Sequence, residues 1–172
     1  MPIYEFDGVT PTIHPDAYVH PDAVVIGDVT IGSEATIWPN AVLRGDYGTI
    51  SIGARTSVQD GTVIHAGPGF PTIVGEGCVI GHIAHLEGCI LKDDCLVGSG
   101  SVVLHNAVIN SGATVGANAV VPNRMEVPAN ALAIGVPATI REGKSDVRMI
   151  EFSAAEYVSN GKRYKASLRQ VG

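Results

Sequence analysis

From Ile13 to Val42 the sequence reads IHPDAY, VHPDAV, VIGDVT, IGSEAT, IWPNAV, five consecutive six-residue units. Each unit opens on an aliphatic residue (Ile13, Val19, Val25, Ile31, Ile37) and carries a small one four places later (Ala17, Ala23, Val29, Ala35, Ala41). A period of six fits neither the 3.6-residue turn of an α-helix nor the two-residue alternation of an ordinary strand. It fits short strands separated by turns at Gly, Asn or Asp, three to a coil, with the aliphatic and small positions facing inward in stacked columns. Parallel pairing spaces successive coils by about 4.8 Å. The expected architecture is an all-β solenoid, a parallel β-helix of triangular section.

The register carries far beyond this stretch. Leu43 opens the next unit, the phase shifts across Arg44 to Ile50, and the series resumes at Ile52, Val58 and Ile64. A second break, Ala66 to Ile73, contains Gly-Pro-Gly-Phe-Pro. Val74, Ile80 and Leu86 follow, and after one dropped residue come Leu91, Val97, Val103, Ile109, Val115, Val121 and Val127. The pattern decays through Gly135-Val136-Pro137-Ala138. This divides the chain into a β-helix over 1–138, with repeats at about 13–131, and a tail over 139–172. Within the tail, Glu151 to Arg169 reads as a C-terminal α-helix packed outside the prism and interrupted near Asn160-Gly161. A solenoid needs covered ends, and the first twelve residues and this tail are the expected caps.

Of 172 residues, 45% are apolar and 16% charged, which suits one buried core and excludes a disordered chain. Glycine is abundant at 21 residues while aromatics are only 5%, so small and β-branched side chains must build that core. A net charge of −6 argues against a nucleic-acid or anionic-membrane partner. No apolar run reaches the roughly 18 residues of a membrane span. The start, MPIYEFDG, lacks the basic and apolar regions of a signal peptide. Cys78, Cys89 and Cys95 are odd in number and lack metal-knuckle spacing, and Cys78 and Cys95 fall in small inward slots as core filler. A reducing, cytoplasmic setting is expected.

Residues flanking an inward slot point outward, so the repeat is also a map of the surface. Counted in threes, the units at Val25, Leu43, Ile64, Leu86 and Val103 share one face. Arg44, His65 and Glu87 then stack outward in consecutive coils, roughly 5 Å apart, and His85 leans to the same side. The preceding face carries Trp38, Gln59, Asp60 and His82. Two histidines and a carboxylate suit Zn²⁺ or a similar borderline cation. His65 and Glu87 meet on one face, whereas His82 reaches them only from a neighbouring copy, so the map predicts a trimer with metal sites between subunits. The alternative is a polar interface without metal, in which Glu87 pairs with Arg44. Trp38 reads as packing, and His14, His20 and His105 as solvated surface histidines without partners at ligand spacing.

Three blocks carry a resemblance: Ile37-Trp38-Pro39-Asn40-Ala41-Val42-Leu43-Arg44-Gly45-Asp46, Ser57-Val58-Gln59-Asp60-Gly61-Thr62-Val63-Ile64-His65, and Ile80-Gly81-His82. They resemble the γ-class carbonic anhydrases and their hexapeptide-repeat relatives. The resemblance implies a left-handed β-helix, a threefold homotrimer, a C-terminal helix, and zinc (or iron, or cobalt) held by three histidines at the subunit interface. By position it carries His65 and His82 over as ligands. The family's third block runs Gly-His, four residues, then His-Gly. Here Gly81-His82-Ile83-Ala84-His85-Leu86-Glu87-Gly88 puts Glu87 where a histidine is expected. Glu87 then completes a two-histidine, one-carboxylate set, or His85 takes the third position with Glu87 beside it, or the metal has been lost. Arg44 and Asp46 resemble the family's buried ion pair, Gln59 the residue that orients the metal-bound oxygen, and Asp60 its neighbour. Tyr157 or Tyr164 on the tail would overhang the site.

With metal bound, a water whose pKa falls toward about 7 attacks CO₂ or a carbonyl. The resemblance implies reversible CO₂ hydration, with CO₂ and bicarbonate as substrates, or hydrolysis of an acyl thioester. A carboxylate ligand makes the metal less acidifying than three neutral imidazoles do. Two alternatives stand beside this lyase or hydrolase. One is an acyltransferase using acetyl-CoA, on the strength of the six-residue units and the Gly135-Val136-Pro137-Ala138 ending, although the Ala66–Ile73 excursion holds no histidine for a general base. The other is a non-catalytic trimeric scaffold.

Overall fold

A computed structural model describes residues 2–172. Short parallel strands stack into about seven coils. One ladder aligns Val19, Ile37, Val58, Ile80, Val97, Val115 and Ala133. The second aligns Val25, Leu43, Ile64, Leu86, Val103 and Val121. The third aligns Ile13, Ile31, Ile52, Val74, Leu91, Ile109 and Val127. These are the columns expected from the period of six. Their side chains, with the alanines of the small slots, fill the prism, and Leu43, Ile64 and Leu86 are wholly buried. Burying each such side chain is worth about 1.5–3 kcal/mol, so the inward register is strongly specified.

Cys78, Cys89 and Cys95 are buried free thiols. Burial pushes the Cys89 thiol up to about 12, and the neighbouring Cys95 thiol, with burial, raises that of Cys78. Cys78 and Cys89 are therefore not thiolate nucleophiles at neutral pH.

The Arg44–Ile50 phase break is no loop. Strand Val42–Ile52 runs unbroken round one corner of the prism, pairing with Val63–His65 before the corner and Thr72–Val74 after it. Val24–Ile31 makes the same passage one coil earlier, with its register slipping between Gly27 and Val29. Glycine makes this possible, because a Cβ on Gly45 would stand 2.5 Å from the Asp28 carbonyl oxygen. The second excursion is closed by a bridge between Gly67 and Phe70.

Both ends are covered. Ile3–Tyr4 pairs with Val25–Ile26 at the start, and Thr139–Arg141 turns back antiparallel on Leu132–Ile134 at the end. Asp146 then caps a helix, Val147–Ser167, by accepting from the Met149 amide at 3.3 Å. This helix corrects the expected one: it starts earlier and passes through Asn160-Gly161 without interruption. Gly161 is buried against the prism, where a Cβ would lie 2.6 Å from Thr36 Cγ2. The glycine allows close approach rather than breaking the helix. The helix covers the ladder face of Tyr18, Thr36, Ser57 and Val79, burying Ile150 and Ala154 against Val79. No described helix is long and apolar enough to cross a membrane.

Candidate functional site

The second ladder brings Arg44, His65 and Glu87 into register as direct neighbours on three adjacent strands. Because the inward residues Leu43, Ile64 and Leu86 are locked in the core, the next residue on each strand must face out. The His65 ring lies between two carboxylates, with Nδ1 3.0 Å from Glu87 Oε1 and Nε2 3.1 Å from Asp46 Oδ1. Arg44 donates to the other oxygen of Asp46, so the ion pair expected of Arg44 and Asp46 is present, and Glu87 pairs with histidine rather than with Arg44. Glu87 Oε2 also meets His85 Nε2 at 3.2 Å.

These contacts tune the acids. Hydrogen bonding from His65 holds the Glu87 carboxyl below its ordinary value against partial burial, helped by His85 and by the nearby His105. For Asp46, burial opposes ionisation, but hydrogen bonds from Arg44 and His65 outweigh it and keep the carboxyl low.

His105, expected as a solvated surface residue, belongs to this cluster. Its Nε2 is 3.7 Å from Glu87 Oε1 and its ring stands edge-on to Phe70 at 5.2 Å. The register that pairs Leu86 with Val103 puts His105 over Gly88, where the missing side chain leaves room for the ring. The repeat places His105 two residues past Val103, but only the stacking of that coil on Gly88 brings it to Glu87. His14 is exposed, as expected, with its Nδ1 accepting the Asp16 amide; His20 departs from expectation, its Nδ1 accepting the Asp22 amide in its own turn and only 12% of its side chain exposed.

His82 lies elsewhere, in the turn after Val79–Ile80, with no bond to His65, Glu87 or His85. Its Nδ1 is 2.9 Å from Asp60 Oδ2 and the side chain is about half exposed. Gln59 is buried beside it, and the Tyr157 phenol from the helix neighbours Gln59 and Asp60. Burial and the Asp60 charge hold that phenol above its ordinary value. The next residue, Ile83, is 68% exposed at φ 52, a left-handed conformation that costs a β-branched side chain. Trp38 is packing, buried with Nε1 donating to Thr36 and Ser57 hydroxyls, both at 3.0 Å. Tyr164 packs on Trp38 and Tyr18.

The donor chemistry suits a cation in part. Carboxylates only accept, and a neutral imidazole donates from one nitrogen, so one of the two His65 contacts lacks a shared proton unless the ring is charged or a cation takes that contact. The His82–Asp60 pair fixes the tautomer whose Nε2 presents a lone pair, the arrangement metal-bound histidines use. Among the described residues of one chain, however, no three His, Cys, Asp or Glu side chains are arranged to hold a metal by themselves.

The profile of the family described as bacterial transferase hexapeptide (six repeats) matches residues 10–45 and 88–123. A carbonic anhydrase from Geobacillus kaustophilus is 40% identical over 98% of the chain and 93% of its own length. The carnitine operon protein CaiE of Citrobacter koseri is 39% identical over 98% of the chain and 86% of its own length. Among solved structures, a hexapeptide transferase family protein from Anaplasma phagocytophilum is 32% identical, with a TM-score of 0.91 over 95% of this chain and 98% of that one.

Proposed function

This chain belongs to the hexapeptide-repeat family of left-handed parallel β-helices, with a carbonic anhydrase among its relatives, and from that premise we propose that it is a metal-dependent enzyme whose site is shared between copies of a homotrimer. His65 and Glu87 of one copy and His82 of the next would hold zinc, or iron or cobalt, with His85 as the alternative to Glu87. The observation that carries the reading is the division of labour between faces. One face gathers His65, His85 and Glu87, and another presents His82 with its Nδ1 already committed to Asp60.

A bound zinc supplies a Lewis acid and a water acidified toward neutral pH. The protein's groups do the rest. Asp60 holds the His82 ring in one tautomer. Asp46, fixed by Arg44, orients the His65 ring. The Gln59 amide offers a donor and an acceptor to a small polar substrate, and Tyr157 closes the helix side of the site against water. CO₂ with bicarbonate is the preferred substrate pair, and an acyl thioester is the second. The exposed, strained Ile83 beside His82 supports a partner surface covering that corner.

The test is elemental analysis of wild type and Glu87→Ala, beside assays of CO₂ hydration and thioester hydrolysis. About one metal per chain, lost in the variant together with activity, supports the two-histidine, one-carboxylate set. Metal retained in the variant moves the third ligand to His85. No metal in either protein contradicts the proposal.

An acetyl-CoA-dependent acyltransferase is the second reading, favoured by the transferase family profile over residues 10–45 and 88–123. Stabilisation by coenzyme A, with no response to chelators, would favour it.

A further inference from the structure

The Ala66–Ile73 excursion interrupts the repeat beside the candidate site and is fastened to it. The buried Thr72 hydroxyl donates to the His65 carbonyl at 2.6 Å and accepts the Gly88 amide at 2.8 Å, tying the His65 strand to the Glu87 strand. The Gly67–Phe70 bridge then turns Phe70 over Gly88, where a Cβ would lie 2.9 Å from the Phe70 Cβ. The same Cβ would lie 2.7 Å from His105 Cδ2, so Phe70 and His105 share the space that Gly88 leaves.

His105 is held there on every side but one. Its ring stands edge-on to Phe70, the Arg124 amide donates to its carbonyl at 3.0 Å, and the next amide, of Asn106, donates to the Gly88 carbonyl at 2.7 Å. The remaining side presents Nε2 to Glu87 Oε1 at 3.7 Å, an electrostatic contact longer than a hydrogen bond. Oε1 is also the oxygen that faces His65 Nδ1. With Asp46 accepting from His65 Nε2, the Nδ1 atom carries a lone pair and has no proton to give Oε1. His85 does not make up for this, because its Nε2 is engaged with the other oxygen, Oε2. The donor left for Oε1 is His105, whose ring is packed in place by a neighbouring coil.

We propose that His105 is a positioning residue for Glu87: its Nε2–H steadies the carboxylate from the Oε1 side, with Phe70 bracing the ring, so that Glu87 is preset as a metal ligand. This rests on the shared metal site of the preceding section. His105 itself touches neither metal nor substrate.

The test titrates zinc against a competing chelator in wild type, His105→Ala, His105→Gln and Glu87→Ala, each shown to keep its circular dichroism and oligomeric mass. The visible absorption of the cobalt(II)-loaded proteins is the second readout. Wild type binds zinc, and His105→Ala binds it about 10–100-fold more weakly. His105→Gln, which keeps an N–H donor, recovers most of that affinity and a cobalt spectrum close to wild type, whereas His105→Ala alters the spectrum. Added to Glu87→Ala, the His105→Ala change lowers the residual affinity no further, because the group it steadies is gone. No zinc on wild type overturns the shared site, and the role of His105 with it. Zinc bound equally by wild type and His105→Ala overturns the positioning role alone. Equal losses in His105→Ala and His105→Gln overturn it too, since the ring would then only fill space over Gly88.

Discussion

Glu87 is where three histidine rings meet one carboxylate, through His65, His85 and His105. Its carboxyl is held low in the folded chain chiefly by the His65 hydrogen bond, and Asp46 is low as well. A carboxyl depressed on folding contributes stability that is fully present above its unfolded value and is lost as pH falls through the lower folded one. Urea midpoints should therefore hold from pH 7 down to about pH 4.5, the ordinary glutamate value, and fall below it. Glu87→Gln should flatten part of that fall, and a decline of equal steepness in the variant would show that the network contributes nothing. Ile83 carries a second expectation. If no partner covers its side chain, Ile83→Gly relieves the left-handed backbone and raises stability by about 1 kcal/mol in thermal melts. In the proposed assembly the variant instead loses contact area and weakens association. At this scale much was legible in the sequence. A period of six and a threefold count put Arg44, His65 and Glu87 in one column, because inward burial leaves the next side chain only one direction. His105 escaped because its place depends on the gap above Gly88, which is a property of the stacked coil and not of its own unit.

The helix Val147–Ser167 is held to the prism by an aromatic seam and by one point of close contact. Trp38 stands edge-on to Tyr157 at 5.7 Å and to Tyr164 at 5.0 Å, and Gly161 sits on Thr36. Replacing Gly161 by Ala sets two effects against each other. Helix propensity favours alanine by about 1 kcal/mol. Against it, the new Cβ meets Thr36 Cγ2 at 2.6 Å, and Thr36 cannot turn away because it is buried with its hydroxyl bonded to Trp38. The clash should win, with a net loss of about 1–2 kcal/mol by chemical denaturation. Thr36→Ser, which keeps the hydroxyl and removes the methyl, should recover most of the loss in the double variant. If Gly161→Ala is neutral alone, the close packing is not what selects glycine. This contact also explains why the sequence suggested a broken helix. Gly161 does weaken helix propensity locally, and only the approach of Thr36, far away in the chain, shows what the glycine is for. The corner strands have the same origin: Val42–Ile52 runs through a phase break because Gly45 lets it pack on Asp28 of the preceding coil.

At the scale of the whole molecule the prism is closed at both ends, and its core ladders run from the first coil to the last, so one cooperative unit is expected. Ile64→Ala in the middle of the second ladder should cost about 2–5 kcal/mol and shift the entire unfolding transition rather than split it. The site is not closed in the same sense. His65, His85 and Glu87 lie on one face and His82 on another, and one chain does not bring them together. Sedimentation should therefore report about three times the 17.8 kDa chain mass. A monomer at micromolar concentration would leave His82 without a role in the site. The repeat made the fold legible end to end because each unit restates the same burial rule. It left the activity open because chemistry resides in the few outward residues that the rule does not constrain. The measurement that bears most directly on the shared site is the metal content of wild type and His82→Ala, made on protein shown to keep its oligomeric mass. His82 makes no contact with the His65–Glu87 network within its own chain, so the variant changes the site only through a second copy. The account predicts about one metal ion per chain in the wild type and loss of most of it in His82→Ala. Metal bound equally by both proteins, or by neither, would contradict it.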